Sequence, residues 1–559
     1  MPTVKLNRKV IDKLVGKKLS EDKLKDRISM LGTDLESVDD MHIHVEIFPN
    51  RPDLLSEQGF ARAFSTFIGK KTGLQKYNVK KSGLKVIVDK NVSMRPYTVC
   101  AIVKHLKFDD EKIREIMQVQ EKLATTHGRN RKKSAYGIYP LEGISFPIKY
   151  TAKDPKKIMF QPLGFNNKIM ADKVLTQHPK GKEYAHITKG WKEYPFFIDA
   201  RDNVMCMLPF TNSEDTGKVD ENTKDVFIEC TGIDLENVKV ALNILCTTLA
   251  DMGGQIYSLE MNYDGKKFDT PDLTPRKMEI DINYANRLLG LNLKEKDINF
   301  FLGRMGFGWM NGKVLVPAYR ADILHQVDLV EDIAIAYGYE NIPEEIPNIT
   351  TIAAEDKLEK FKDKLSDILV GLQLLECKSY ALVPKEIQTK MINYNKNPIM
   401  VLDPVSAEYN SIRMNVLPSL LHILSENKHH SYPQRLFEIG RVCYKSKEIR
   451  DNEKYKNVTD KDVKEEDRLA VVDCDTRVDF TRIKQVLDYL MRMLNLEYSI
   501  ALHKEGMFIE GRIGLIMIGK EKVGIIGEVH PEVITNFKIE NPVACFELDI
   551  DKLFNLVKD

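Results

Sequence analysis

The chain has 559 residues, with 83 Lys and Arg against 82 Asp and Glu, and 43% of its positions are hydrophobic. That length asks for three or four domains rather than one core, and a net charge of +1 leaves any polyanion to be met by local basic patches. The eight cysteines are scattered with no CxxC pair, the N-terminus has no apolar signal region and no run of 18 apolar residues occurs; a cytoplasmic protein with no disulfide framework, no zinc site and no membrane contact is expected.

In chain order, residues 1–90 predict an N-terminal α/β domain. A strand from Thr3 to Leu6 leads to two helices, the second opened by Ser20 with Glu21 and Asp22 in its first turn, and a third follows the turn at Pro49, Asn50 and Pro52. Residues 91–268 predict mixed α and β structure with two cation clusters, HGRNRKK at 127–133 and KGKEYAHITKGWK at 180–192. Charge runs usually form solvated faces, but Tyr184, Trp191 and Tyr194 among the lysines also fit a surface that contacts RNA backbone and bases.

Pro271 and Pro275 mark the entry to a compact unit, 269–346. Two helices, Asn283 to Leu289 and Lys294 to Met305, lead to a strand pair turning at Asn311-Gly312, a favoured hairpin step. An acidic helix follows, and Pro343 and Pro347 mark the next linker. Residues 347–559 alternate long helices with β-rich runs at 435–444 and 512–529, and the polar stretch 445–467 reads as an exposed loop.

The acidic helix is the most informative segment. From Val314 to Asp356 there are nine carboxylates and one arginine, Arg320. Asp328, Glu331 and Asp332 stand at i, i+3 and i+4 on one helix face, roughly 130° from the apolar set Ile323, Val327, Val330, Ala334 and Tyr337. Like charges at that spacing cost about 0.2 to 0.5 kcal/mol per pair, which a hard cation reverses. With Asp322 just ahead, oxygen-only donors suit magnesium, and one helix is an incomplete shell that needs a second surface. The plainer alternative is that Asp322 caps the helix while acids in its first turns favour the positive end of the dipole.

No P-loop, dinucleotide-type GxGxxG, GxSxG elbow or HExxH occurs, so the usual catalytic motifs are absent. A large chain with basic surfaces, a metal-like acidic face and no nucleotide cradle reads as part of a larger machine.

Six strings, EIFPNRPDLLS (46–56), QEKLATTHGRNRKKSAYGIY (120–139), HPKGKEYAHI (178–187), FIECTGID (227–234), YRADILHQVDLVEDIAIAYGYENI (319–342) and FEIGRV (437–442), together resemble the phenylalanine–tRNA ligase β subunits of the archaeal and eukaryotic type. The resemblance covers essentially the whole chain. It implies a multidomain α+β protein: an N-terminal α/β domain (1–90), an editing, tRNA-binding domain of B3/B4-like character (91–268), a winged-helix-like domain with the acidic helix (269–346), and an antiparallel class II synthetase-like core that is non-catalytic and forms subunit interfaces (347–559). It implies an α2β2 heterotetramer acting on tRNA(Phe), with ATP as substrate of the complex and no aminoacylation residues in this chain. In agreement, 347–559 has no GxGxxxR string, and Arg435 precedes Glu438 by three positions where the active class II motif has two.

The same resemblance implies magnesium shared with the α subunit at Asp322, Asp328, Glu331 and Asp332. It also implies hydrolysis of tyrosine wrongly joined to tRNA(Phe), with Asn212, Ser213, Glu229 and Thr231 as candidate pocket residues. An apolar pocket rejects an added hydroxyl weakly, by on the order of a hundredfold, whereas a second, polar pocket rewards it. The plainer alternatives are a turn at Asn212 and Ser213 and a polar-faced strand at Glu229 and Thr231. In LATTHGR, Ala124 stands where the family commonly has histidine, and His127 comes three positions later. The rival functions are a tRNA-binding scaffold without active editing and a magnesium-dependent nuclease or phosphatase built on the acidic helix.

Overall fold

The computed structural model describes residues 2–349, 353–445 and 463–557. The chain divides into two compact units, Met1–Ile346 and Pro347–Asp559. The first unit opens on a three-stranded antiparallel sheet with His42–Glu46 between Thr3–Asn7 and Asp34–Val38. Asn7 caps the helix Arg8–Val15 by accepting from the Lys9 and Val10 amides. Ser56 caps Glu57–Phe67 by accepting from the Gly59 amide at 2.9 Å. A Cβ on Gly59 would stand 1.9 Å from the Asp53 carbonyl oxygen, so only glycine lets this helix start so close to the preceding turn.

The middle of the unit is a ten-stranded mixed sheet. It starts with Val79–Val88, on the near side of the expected edge at residue 91, because this strand pairs in parallel with both Gln255–Tyr263 and Ile148–Lys153. Along the sheet, Tyr97–Lys104, Val226–Gly232 and the edge strand Ser134–Pro140 continue one way, and Tyr194–Ile198, Val204–Met207 and Thr211–Asn212 the other. The helix Leu235–Asp251 packs across Tyr97–Lys104 and Val226–Gly232, burying Val238, Leu242, Leu245 and Leu249. The sheet curls until the short helix Glu214–Gly217, just past one edge, packs against Ser134–Pro140 at the other.

The unit ends in helices Ile282–Leu289, Glu295–Arg304 and Gln326–Tyr337 around a small sheet of Arg276–Met278, Lys313–Val316 and Gly308–Met310. The expected hairpin turn is present, with φ of 53° at Asn311 and 74° at Gly312. Arg304 donates to the Phe67 carbonyl at 2.6 and 3.1 Å and to the Ala336 carbonyl at 2.6 Å, tying this end to the helix Glu57–Phe67.

The second unit is built on a seven-stranded sheet, antiparallel throughout except where Leu375–Glu376 joins its edge. Alternate strand residues face two cores. Phe437, Val471 and Phe546 meet the helices Lys357–Gly371, Phe480–Met493 and Ile550–Val557. Leu436, Val472 and Cys545 meet Leu417–Glu426 and Pro531–Asn536. The expected loop 445–467 is narrower than its polarity suggests. Lys445 ends the strand Gln434–Lys445, and residues 463–467 begin Val463–Cys474, where Glu466 pairs with Lys464 at 2.8 Å and Arg468 at 2.6 Å; residues 446–462 lie outside the described residues. Among the described residues no helix is long and apolar enough to cross a membrane.

Candidate functional site

Glu229 and Thr231 alternate on the strand Val226–Gly232, so both point to the face that carries Phe227, away from the helix Leu235–Asp251. Both are buried, at 1% and 0% exposure. One Glu229 oxygen accepts from the Tyr139 hydroxyl at 3.3 Å, while the other, Oε2, is buried with no hydrogen-bond partner among the described residues. Burial raises the Glu229 carboxyl to about 8, against the opposing pull of Arg95, the Tyr139 hydrogen bond and Arg131. The acid is therefore protonated at neutral pH.

Arg95 is the largest fully buried side chain here, and its Nε likewise lacks a partner. Its two Nη groups donate at 2.9 Å to the carbonyls of Arg131 and Thr231, and its own carbonyl accepts from the Tyr150 hydroxyl at 2.9 Å. Gly137 is opposite Glu229 in the sheet register, and a Cβ there would fall 2.5 Å from the Tyr139 hydroxyl and 2.6 Å from Glu229 Oε1. Arg95 carries no motif that could have flagged it in the sequence, and Gly137 and Tyr139, though inside the string 120–139, had no role assigned there.

Asn212 and Ser213 come from the far edge of the sheet order. Asn212 is paired in register with Cys206, whose thiol meets Tyr139 across the curled sheet and is raised by burial and by Glu229. Ser213 caps Glu214–Gly217 by accepting from the Asp215 amide at 3.3 Å, in line with the turn alternative. His127 stands apart from Glu229's partners: its Nε2 lies 2.8 Å from Asn237 Nδ2, and burial lowers its pKa.

The two cation clusters do meet, through Glu121, which binds Arg131 at 3.2 Å and Lys180 at 3.0 Å. Two of the three aromatic residues among the lysines are buried and unavailable for stacking, which corrects the expectation for them, while Trp191 is half-buried beside the same core. Tyr184 and Tyr194 are 4% and 5% exposed, because they pack with Phe196 and Phe210 into a core of their own.

The acidic helix spans Gln326–Tyr337, with His325 at its N-cap and Asp328 reaching back to the His325 and Leu324 amides at 2.7 Å. Asp322 therefore lies ahead of the helix rather than capping it. Arg320 binds Asp322 through Nε and Nη2 at 2.8 and 2.7 Å and Asp332 through Nη2 at 2.8 Å. This corrects two expectations. The local arginine does relieve the acids, and Asp332 belongs to the buried side of the helix with Leu329, Ile333 and Ala336, whereas Val327 is 41% exposed. A guanidinium twelve residues away makes burial of that carboxylate tolerable. Burial raises the Asp332 pKa against the attraction of Arg320 and Arg51. Arg51 itself binds Asp53 through two hydrogen bonds of 2.9 and 2.8 Å, so the strings 46–56 and 319–342 converge on one buried charge cluster. Burial works against Asp53 too, but Arg51, Arg320 and Arg62 hold its pKa below the usual value.

The donor set is hard oxygen, as magnesium prefers. Among the described residues, however, no three His, Cys, Asp or Glu side chains stand close enough to hold a metal. Asp322 and Asp332 face Arg320, Asp328 caps the helix and Glu331 is exposed. By itself this chain does not fit a magnesium ion, and donors from outside it are required.

Family models match three stretches: the Phe-tRNA synthetase beta subunit B1 domain over residues 1–70, the tRNA synthetase B5 domain over 278–339 and the phenylalanyl-tRNA synthetase beta chain CLM domain over 342–550. The phenylalanine–tRNA ligase beta subunit of Thermococcus sibiricus is 38% identical, with 98% of each chain covered. That of Pyrococcus abyssi is 38% identical over 99% of this chain and 100% of its own. A crystal structure of an N-terminal fragment of the Pyrococcus horikoshii phenylalanyl-tRNA synthetase beta subunit matches with a TM-score of 0.58 at 38% identity, covering 60% of this chain and 100% of the fragment.

Proposed function

This chain belongs to the β subunits of phenylalanine–tRNA ligase and is a subunit of an aminoacyl-tRNA ligase, and from that premise we propose that it hydrolyses tyrosine mischarged onto tRNA(Phe) while an α subunit joins phenylalanine to the tRNA with ATP. The observation that carries the editing reading is the buried Glu229, protonated at neutral pH, with one oxygen lacking a partner. A tyrosine hydroxyl brought against it gains a hydrogen bond, whereas a phenylalanine ring leaves the polar group unpaired, which is the sense of discrimination an editing pocket needs. Arg95 holds the Thr231 carbonyl and so orients the strand that presents Glu229. With no base beside Glu229, attack by a water assisted by the substrate's own ribose hydroxyl is the simplest route.

The wider reading is an α2β2 complex in the cytoplasm. Its β chain contributes a winged-helix-like domain at 269–346 and, at 347–559, a class II-like core without ATP-binding residues. Magnesium shared with α would be held by Asp322, Asp328, Glu331 and Asp332, with the partner supplying the remaining donors. The test is ester loss from tyrosine-charged and phenylalanine-charged tRNA(Phe) mixed with the assembled complex, for wild type and Glu229→Ala. Selective loss of tyrosine hydrolysis in the variant supports the pocket. Wild-type hydrolysis no faster than background would establish the scaffold reading instead.

A further inference from the structure

A cavity of about 320 Å³ in the first unit lies between the segment 62–75 and the turn 305–306, with Tyr319 and Arg320 completing the wall. Its wall carries four cations, Arg51, Arg62, Lys71 and Arg320, against one carboxylate, Asp53. The remaining counter-charges, Asp251, Asp322 and Asp332, stand behind the wall on the far ends of Arg62 and Arg320. Pairing leaves donors over. Arg62 is buried, uses Nη1 for Asp251 at 2.7 Å and Tyr77 at 2.8 Å, and has no partner for Nη2 among the described residues. Lys71, exposed, reaches only the Leu14 carbonyl at 3.2 Å and pairs with no carboxylate among the described residues. At Gly73, with φ of +87°, no atom lies within 4 Å of where a Cβ would stand, so the chain passes without filling the space.

We propose that this cavity is a binding site for a small phosphate-class oxyanion, inorganic phosphate or pyrophosphate, held by Lys71 at the mouth and by the unpartnered Nη2 of Arg62 within. A guanidinium N–H and a lysine ammonium both donate charge-assisted hydrogen bonds to phosphate oxygens, and the cavity has room for an anion of this size. Reversing the charge of Lys71 turns attraction for the anion at the cavity mouth into repulsion, so that change should be felt strongly. The site makes no use of the editing pocket, and its wall shares Arg320 with the acids Asp322 and Asp332.

The experiment is calorimetric titration of the full-length chain with phosphate and, separately, with pyrophosphate, at an ionic strength held constant with potassium chloride. Saturable binding is expected, with the tighter of the two ligands identifying the size of the anion. Lys71→Glu should weaken it by about tenfold or more, and Lys71→Gln by less. Lys76→Glu, the same charge change further along the same segment but outside the cavity wall, should leave it unaltered. Equal weakening by Lys71→Glu and Lys76→Glu, or an equal response to chloride, overturns the site in favour of diffuse surface charge. Absence of saturation in the millimolar range overturns it outright.

Discussion

Tyr139, on the edge strand of a curled sheet, donates to Glu229 on the neighbouring strand across 3.3 Å, and the second oxygen of that carboxyl meets no hydrogen-bond donor or acceptor among the described residues. A buried acid in this state is a polar group waiting for a ligand, and its cost shows in how stability responds to pH.

Burial raises the Glu229 pKa to about 8 from an ordinary 4.5. The folded state then binds more protons than the unfolded one between those values, so this group's contribution to stability falls as pH rises through the window. Glu229→Gln removes the titration. Urea midpoints of wild type and variant should diverge in the variant's favour between pH 6 and 9, by an amount on the order of a few kcal/mol; a constant difference across that range would show that Glu229 titrates normally.

Gly137→Ala places a methyl group between the Tyr139 hydroxyl and Glu229 Oε1, both under 3 Å away. The overpacking should cost about 1 to 3 kcal/mol. If Glu229 selects the tyrosine hydroxyl, the variant should also lose tyrosine deacylation out of proportion to its stability. Thermal midpoints and deacylation rates, measured together, check both.

Arg320→Met strands Asp322 and Asp332 in a buried setting and should destabilise the chain by about 3 to 5 kcal/mol. Adding Asp322→Asn and Asp332→Asn should recover most of the loss, because a neutral cluster needs no guanidinium. A denaturant series on the three variants decides it; no recovery would mean that Arg320 acts through packing on Phe307 instead.

Glu331 is exposed and makes no hydrogen bond or ion pair among the described residues. Glu331→Gln should therefore leave the isolated chain's melting temperature unchanged, yet lower the magnesium content of the αβ complex, read by elemental analysis after gel filtration. Unaltered metal content would remove Glu331 from the shell.

Much of this was legible in the residues. The hairpin at Asn311-Gly312, the helix start at Ser20 and the alternation of Glu229 with Thr231 are local rules, and the structure follows them, although the Ser20 side chain makes no capping hydrogen bond. The acidic helix was legible as a helix but not in its orientation. Periodicity assigns Asp332 to a polar face, whereas its partner comes from a turn outside the helix, and charge pairing overrode hydropathy there. Tyr184 and Tyr194 were obscured in the opposite way, since neighbouring lysines mask an aromatic core that only the folded strand order brings together. Arg51 meeting Asp332 was beyond reach, because nothing local records a contact across some 280 residues.

Arg304, which clasps the Phe67 and Ala336 carbonyls, has a consequence for how the first unit comes apart. Together with the Arg27–Glu340 pair at 2.8 Å it ties the chain's opening segment to the end of the acidic helix, so that each depends on the other's presence. Amide hydrogens in 57–67 and 326–337 should then exchange with deuterium as one cooperative block, opening together even though hundreds of residues separate them along the chain.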